Sequence, residues 1–135
     1  MKSIFTLLLK LYKYLRIARR NNWNYQLLFA CDIYIPAIPA TTRIGHPVGI
    51  VMSDLAKLGD NCTILQNVTI AQKNGKAPTI GNYVYLGAGC IILGDITIGD
   101  NVTIGAGAII TKSVPSNSIV YNKVETIIKN KDSVS

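Results

Sequence analysis

The stretch IGNYVYLGAGCIILGDITIGDNVTIGAGAIITKSVP, residues 80–115, repeats every six residues without a slip. Aliphatic residues stand at Ile80, Leu86, Ile92, Ile98, Ile104 and Ile110. Four positions after each comes a second candidate for the interior: Val84, Cys90, Ile96, Val102, Ala108 and Val114. Glycine follows the aliphatic residue at Gly81, Gly87, Gly99 and Gly105. A helix repeats at about 3.6 residues and a strand at about 2, so neither produces this register. A solenoid does, because each unit supplies one short strand and one corner, and three units close a triangular coil. The fold predicted is an all-β solenoid, a parallel β-helix.

The pattern extends upstream through Leu58-Gly59, Ile64 and Ile70, with Cys62 and Val68 at corners. Ile44-Gly45 with Val48, then Ile50, read as an earlier pair of units. Two residues are extra between Ile50 and Leu58, and four between Ile70 and Ile80. Insertions in a solenoid map to protruding loops, frequently on the binding side. Residues 71–79 are therefore expected to protrude. About four coils result, enough to bury a continuous core. Three regions are expected: a basic amphipathic helical segment at 1–31, the β-helix domain at 32–120, and a short tail at 121–135.

With 49% hydrophobic and 16% charged residues, the 135-residue chain suits one domain with a dry interior. Its net charge of +7 is concentrated at one end. Residues 1–31 carry Lys2, Lys10, Lys13, Arg16, Arg19 and Arg20 and no acid, whereas the remaining eight basic residues face seven acids. Ile4, Leu8, Leu11, Leu15 and Ala18 follow helical spacing, opposite Lys10, Lys13 and Arg20. Two readings of this helix stay open: packing on the solenoid or a neighbouring subunit, and peripheral contact with an anionic membrane. Nucleic-acid binding is not expected, because charge elsewhere is balanced and no base-stacking platform is evident.

Lys10 and Lys13 interrupt the apolar run after Met1-Lys2 too early for a secretory signal. Leu28-Phe29-Ala30-Cys31 has the look of a lipoprotein cleavage box, yet polar Arg19 to Asn24 occupies the place of its apolar core. No stretch approaches the roughly 18–20 apolar residues that span a bilayer. The expected location is the cytoplasm, with the inner membrane face as a further site for the basic helix. Three cysteines, Cys31, Cys62 and Cys90, lack metal-ligand spacing, and packing explains the two at corners. No metal is expected.

His46 is the only histidine, within Ile44-Gly45-His46-Pro47-Val48-Gly49-Ile50-Val51. A lone histidine is ordinarily a surface or packing residue. Here glycine and proline flank it, and a solenoid can hold a side chain rigidly. Two positions after Ile44, it should point outward. Imidazole is the side chain whose ordinary proton affinity suits proton transfer at neutral pH.

The run Gly45-His46-Pro47-Val48-Gly49-Ile50-Val51-Met52, continuing to Ile64-Leu65-Gln66-Asn67-Val68-Thr69-Ile70, resembles the hexapeptide-repeat acyltransferases. The likeness covers roughly residues 37–120 and is nearest to serine acetyltransferases and to O-acetyltransferases of surface-polysaccharide pathways. It implies a left-handed coil, a homotrimer and acetyl-CoA as co-substrate. It also implies that His46 is the general base, deprotonating an acceptor hydroxyl as it attacks the thioester. By the same resemblance, the main chain of Gly87-Ala88-Gly89 and Gly105-Ala106-Gly107 would meet the pantetheine arm between subunits. Ala88 and Ala106 are thus candidate cofactor contacts. Lys73, Lys76 and Lys112 are candidates for CoA phosphates, Lys112 foremost because Thr111-Lys112-Ser113-Val114-Pro115 resembles the family's closing segment.

Serine acetyltransferases carry an aspartate before the catalytic histidine, where this chain has Gly45. They also carry a second histidine, preceded by arginine, after the loop matching 71–79; neither is present here. The acid that orients the family's histidine falls at Ala37, leaving Asp32, Asp54 or a carbonyl as substitutes. In place of the family's Gly-Asn-Pro-Ala after the last coil stands Tyr121-Asn122-Lys123-Val124. These departures set the expected acceptor as a sugar hydroxyl of a capsule or O-antigen precursor. A serine O-acetyltransferase-like enzyme is the alternative. A non-catalytic β-helix, such as an ice-binding module, is the third reading, although Tyr85, Ile91 and Ile109 break the series Thr63, Thr69, Thr97, Thr103. A zinc-dependent β-helix carbonic anhydrase is disfavoured by the single histidine.

Overall fold

The computed structural model describes residues 3–20, 31–33 and 38–131. One helix, α1 (Ile4–Arg20), precedes thirteen short strands. They run β1 (Asp32–Ile33), β2 (Arg43–Ile44), β3 (Val51–Met52), β4 (Lys57–Leu58), β5 (Thr63–Ile64), β6 (Thr69–Ala71) and β7 (Thr79–Ile80), then β8 (Tyr85–Leu86), β9 (Ile91–Leu93), β10 (Thr97–Ile98), β11 (Thr103–Ile104), β12 (Ile109–Ile110) and β13 (Ile119–Val120). All pair in parallel and form three sheets, ordered β1-β3-β6-β9-β12, β10-β7-β4 and β13-β11-β8-β5-β2. The architecture is the expected left-handed parallel β-helix of about four coils.

We call the sheets the long face (β1 to β12), the short face (β4, β7, β10) and the second face (β2 to β13). The chain visits short, second and long face in turn. Each strand contributes one aliphatic side chain to the interior, so Ile64, Leu86 and Ile104 stack on the second face with Ile44. All four are buried. Corners contribute smaller residues: Cys62, Val84 and Val102 at one, Val68, Cys90 and Ala108 at the next, all buried. The rungs are tied by main-chain bonds, as where the Gly45 N–H donates to the Ile64 carbonyl at 2.9 Å and the Gly87 N–H to Ile104 at 2.9 Å. A Cβ at Gly87 would lie 2.6 Å from the Ala106 nitrogen, so the coils approach too closely there for any other residue.

Three details depart from the sequence reading. The two extra residues fall between Ile44 and Met52, not between Ile50 and Leu58. Met52, paired with Ile70, is the interior residue of β3, and Ile50 fills the corner as Val68 does one coil later. Val48 is consequently turned out, 51% exposed, and Pro47 is buried in its stead. The second departure is Val114, which bridges Ile98 as a short-face residue, not a corner residue. Its N–H donates to Thr97, and its carbonyl accepts from Gly99. Third, the protrusion is shorter than 71–79. Lys73 and Lys76 close a two-residue hairpin over Asn74 and Gly75, both at positive φ, while Pro78 is buried and Ala77 packs on the core.

Ser3 caps α1, its hydroxyl accepting the Thr6 N–H at 3.3 Å. Residues 121–131 are exposed and form no strand. At their start the Asn122 carboxamide oxygen accepts the Ile109 N–H, and Tyr121 lies against Gly105. Leu28, Phe29, Ala30 and Ala37, singled out in the sequence, lie outside the described residues.

At the corner from short to second face, one residue per coil adopts a left-handed conformation: Asn61, Tyr83, Asn101 and Asn117. Asparagine tolerates that region, whereas a bulky aromatic pays roughly 1–2 kcal/mol there. Tyr83 is 65% exposed and gives little packing in return. Tyr83→Asn is expected to raise stability by about 1 kcal/mol, read as a higher urea midpoint at unchanged slope.

Candidate active-site edge

Two of the three corners can be compared residue for residue, and they treat their main-chain N–H groups in opposite ways. Between short and second face, each coil's second corner residue is capped by a side chain from the following coil. The Asp60 N–H donates to Asn82 Oδ1 at 2.8 Å, the Asn82 N–H to Asp100 Oδ1 at 2.7 Å, and the Asp100 N–H to Ser116 Oγ at 2.9 Å. The edge is closed by its own polar ladder.

Between second and long face the equivalent residues are Gln66, Ala88 and Ala106. Their coils are joined one residue later, where Asn67 N–H donates to the Val48 carbonyl, Gly89 to Gln66 and Gly107 to Ala88, at 2.9, 2.9 and 2.8 Å. The methyls of Ala88 and Ala106 stand where Asn82 and Asp100 carry capping oxygens, and Asn122, the counterpart of Ser116, accepts the Ile109 N–H instead. Among the described residues, the N–H groups of Gln66, Ala88 and Ala106 therefore donate to nothing. Gly49, Asn67, Gly89 and Gly107 hold the same edge at positive φ. With rungs about 4.8 Å apart, the result is a straight row of open donors. Such a row suits carbonyl oxygens of an extended ligand, or an oxyanion.

His46 stands at the head of that edge. The two-residue expansion between Ile44 and Met52 lies in this very corner, and His46 is part of it. The ring is exposed, as expected, while Pro47 is buried beside it and the His46 carbonyl accepts the Val48 N–H at 2.9 Å. Rigid proline and a closed turn hold the imidazole out from the prism. No described side chain hydrogen-bonds the ring. Asp32 and Asp54, the candidates for orienting it, instead line a hollow of about 470 Å³ on the long face with Ile33, Val51, Ala71 and Gln72.

Gln66 was quoted in the sequence motif without a role, and the structure supplies a reason to look at it. Its Oε1 is shut off from solvent and has no hydrogen-bond partner among the described residues. A buried acceptor left unmade costs about 1–3 kcal/mol, which makes this oxygen a candidate partner for a bound donor. Nothing in residue type or spacing signals this.

The sequence candidates separate into two groups. His46, Ala88 and Ala106 share the open edge. Lys73, Lys76 and Lys112 are exposed on the opposite border of the long face, so one protomer does not bring them to His46. Lys76 is held by Asp95 at 3.1 Å. Lys112 borders a hollow of about 560 Å³ at the C-terminal end, with Ile109, Ser113, Ile119 and Asn122.

The cysteines take no part. Cys62 and Cys90 are buried, and burial pushes the Cys90 thiol up to about 12. Among the described residues no group of His, Cys, Asp or Glu is arranged to hold a metal ion. In the native protein at neutral pH both buried thiols should resist an aromatic disulfide reagent, because the thiolate is the reactive form. Full reaction is expected only in denaturant; rapid native labelling of Cys90 would contradict the packing described.

Comparison with known proteins bears on the chemistry. Residues 77–112 match the model of the bacterial transferase hexapeptide (six repeats). The chain is similar to serine acetyltransferase from Staphylococcus xylosus, 40% identical over 64% of this chain and 42% of that protein. It is also 39% identical to the Helicobacter pylori serine acetyltransferase, over 65% of this chain and 54% of that one. Among solved structures, Entamoeba histolytica serine acetyltransferase isoform 3 in complex with cysteine superposes with a TM-score of 0.60 at 34% identity, covering 76% of this chain and 36% of the other. Neisseria gonorrhoeae serine acetyltransferase in complex with serine gives 0.59 at 38% identity, covering 62% and 35%. The chain thus spans about half, or less, of the relatives it matches.

These findings correct the expected acceptor, because the proteins similar to this chain across its coils are serine acetyltransferases, not polysaccharide O-acetyltransferases. The inference from Gly45 also has a packing explanation. A Cβ there would meet Leu65 Cδ2 at 2.6 Å, so glycine gives this leucine side chain room that a larger residue would take only by displacing its flexible end.

Proposed function

We propose that this chain, whose residues 77–112 match the bacterial transferase hexapeptide, is an acetyl-CoA-dependent serine O-acetyltransferase with His46 as general base. The observation that carries this reading is the open edge, where one outward imidazole heads a row of unpaired main-chain donors. His46 removes the hydroxyl proton of serine as that oxygen attacks the thioester carbonyl. The tetrahedral intermediate then expels the CoA thiolate, which recovers the proton from the imidazolium. A positioned base contributes about 10²–10⁴-fold to such a step.

Ala88 and Ala106 present their N–H groups to the pantetheine arm, their methyls being small enough to let it lie against the main chain. Gln66 Oε1 accepts an N–H from a bound substrate. Lys73 and Lys112 reach the CoA phosphates from a neighbouring protomer, since their own His46 lies across the long face. A homotrimer supplies that neighbour, and the outward Val51, Tyr85 and Ile109, all more than 40% exposed, provide apolar surface for it. With the second histidine of the serine acetyltransferases missing, the acceptor is held by fewer charged contacts, so a high KM for serine is expected.

The test is thiol release from acetyl-CoA with L-serine as acceptor and mass-spectrometric detection of O-acetylserine. His46→Ala should lower kcat by about 10²–10⁴-fold with little change in the urea midpoint. Activity within tenfold of the parent, or release that is indifferent to serine, would remove the assignment.

The two-corner comparison yields a sharper variant. Asn at position 106 would place a carboxamide where Asn82 and Asp100 stand on the closed edge, capping the Ala88 N–H. Ala106→Asn should therefore leave stability unchanged or raise it by about 0.5–1 kcal/mol, while raising the KM for acetyl-CoA at least tenfold. An unchanged KM would mean that the ligand does not use this edge.

A further inference from the structure

Helix α1 is turned inside out. A surface helix normally buries its apolar stripe and gives its polar face to water. Here Ile4, Leu8, Leu11 and Leu15, the stripe of the helix, are 78, 58, 53 and 55% exposed. Thr6, Lys10, Lys13 and Tyr14, from the opposite flank, are the half-buried residues among those described, and Tyr14 packs against the solenoid core. The ring of Phe5 extends the exposed stripe at 73%. A continuous apolar strip of this kind on a soluble prism marks a surface that something covers.

Charge identifies the cover. No acid occurs in residues 1–31, while six basic residues do. A second copy of the chain is a poor complement. Asp60 and Asp100 are engaged at the closed edge and Asp95 holds Lys76, leaving Asp32, Asp54 and Glu125 as the other described acids. An anionic lipid surface supplies both an apolar layer and a dense array of phosphates. The border of the stripe has the matching chemistry. The Arg16 guanidinium sits 5.7 Å from the centroid of the Tyr12 ring, and its Nη1 donates to the Tyr12 hydroxyl at 3.2 Å. That places a cation and a phenol together where apolar and polar surfaces meet, the arrangement of a headgroup-level anchor. No helix among the described residues is long and apolar enough to cross a membrane.

We propose that α1 lies in the plane of an anionic bilayer, its Ile4-Leu8-Leu11-Leu15 stripe in the acyl boundary and Arg16, beside Tyr12 at the stripe's border, at the phosphates, with the prism held above by Tyr14. The proposal is independent of which acceptor the enzyme uses. Its test is co-sedimentation of the full chain with vesicles of phosphatidylcholine alone and of phosphatidylcholine mixed with phosphatidylglycerol, at low and high salt. Binding is expected only to the anionic vesicles, and weaker at high salt. The double variant Leu8→Glu, Leu11→Glu should reduce it at least tenfold while leaving thiol release from acetyl-CoA and the mass in solution unchanged. Absence of binding to anionic vesicles would overturn the proposal. So would a fall in oligomer mass in the double variant with vesicle binding intact, which would assign the stripe to a second copy.

Discussion

The prism depends on hydrogen bonding between successive coils, because among the described residues no strand is longer than three residues. A strand that short has no stability of its own. It exists only because the rung before and the rung after take up its N–H and carbonyl groups, and that requires every coil to have nearly the same circumference. Coil length is thus the quantity under strict control. The six-residue register enforces it, with one aliphatic side chain per strand filling the interior and one small residue per corner. Departures are tolerated only where a corner can bulge outward without shifting the next strand, as in the hairpin between β6 and β7.

That constraint also explains how a binding edge arises in so regular an object. Two of the corners leave an N–H per coil that the rungs do not use. On one edge the sequence spends Asn82, Asp100 and Ser116 to satisfy those groups, and the edge becomes inert. On the other it places Ala88 and Ala106, and the same groups stay open. The candidate site is built by leaving out two capping side chains rather than by adding reactive ones. The candidate base, His46, occurs where the coil is two residues longer than its neighbours, so that it stands clear of the rungs without disturbing them. Buried Cys62 and Cys90 show the converse case, in which a residue type with chemistry to offer is consumed by packing.

Substrate choice was the point at which residue-by-residue reasoning failed. Gly45 and the missing second histidine look like a changed acceptor pocket when set against the family pattern. In the folded chain, position 45 also lies against Leu65 of the next coil, so a packing contact bears on the choice of glycine there. The helix gave the opposite lesson. Its amphipathic pattern was plain in the sequence, yet which face met the protein was not, and the usual rule would have chosen wrongly.

Periodicity determined the solenoid, the number of coils and the outward direction of His46, because a strict repeat leaves a short strand no other way to bury its aliphatic residue. It did not locate the two-residue expansion, since Ile50 and Met52 are both apolar and only the pairing of Met52 with Ile70 tells them apart. Nor did it reveal that Ala88 and Ala106 sit on an uncapped edge with His46 while Lys73 and Lys112 sit on another. Those are relations between residues about eighteen apart in the chain and one rung apart in space, and a rung is formed only by closing the coil.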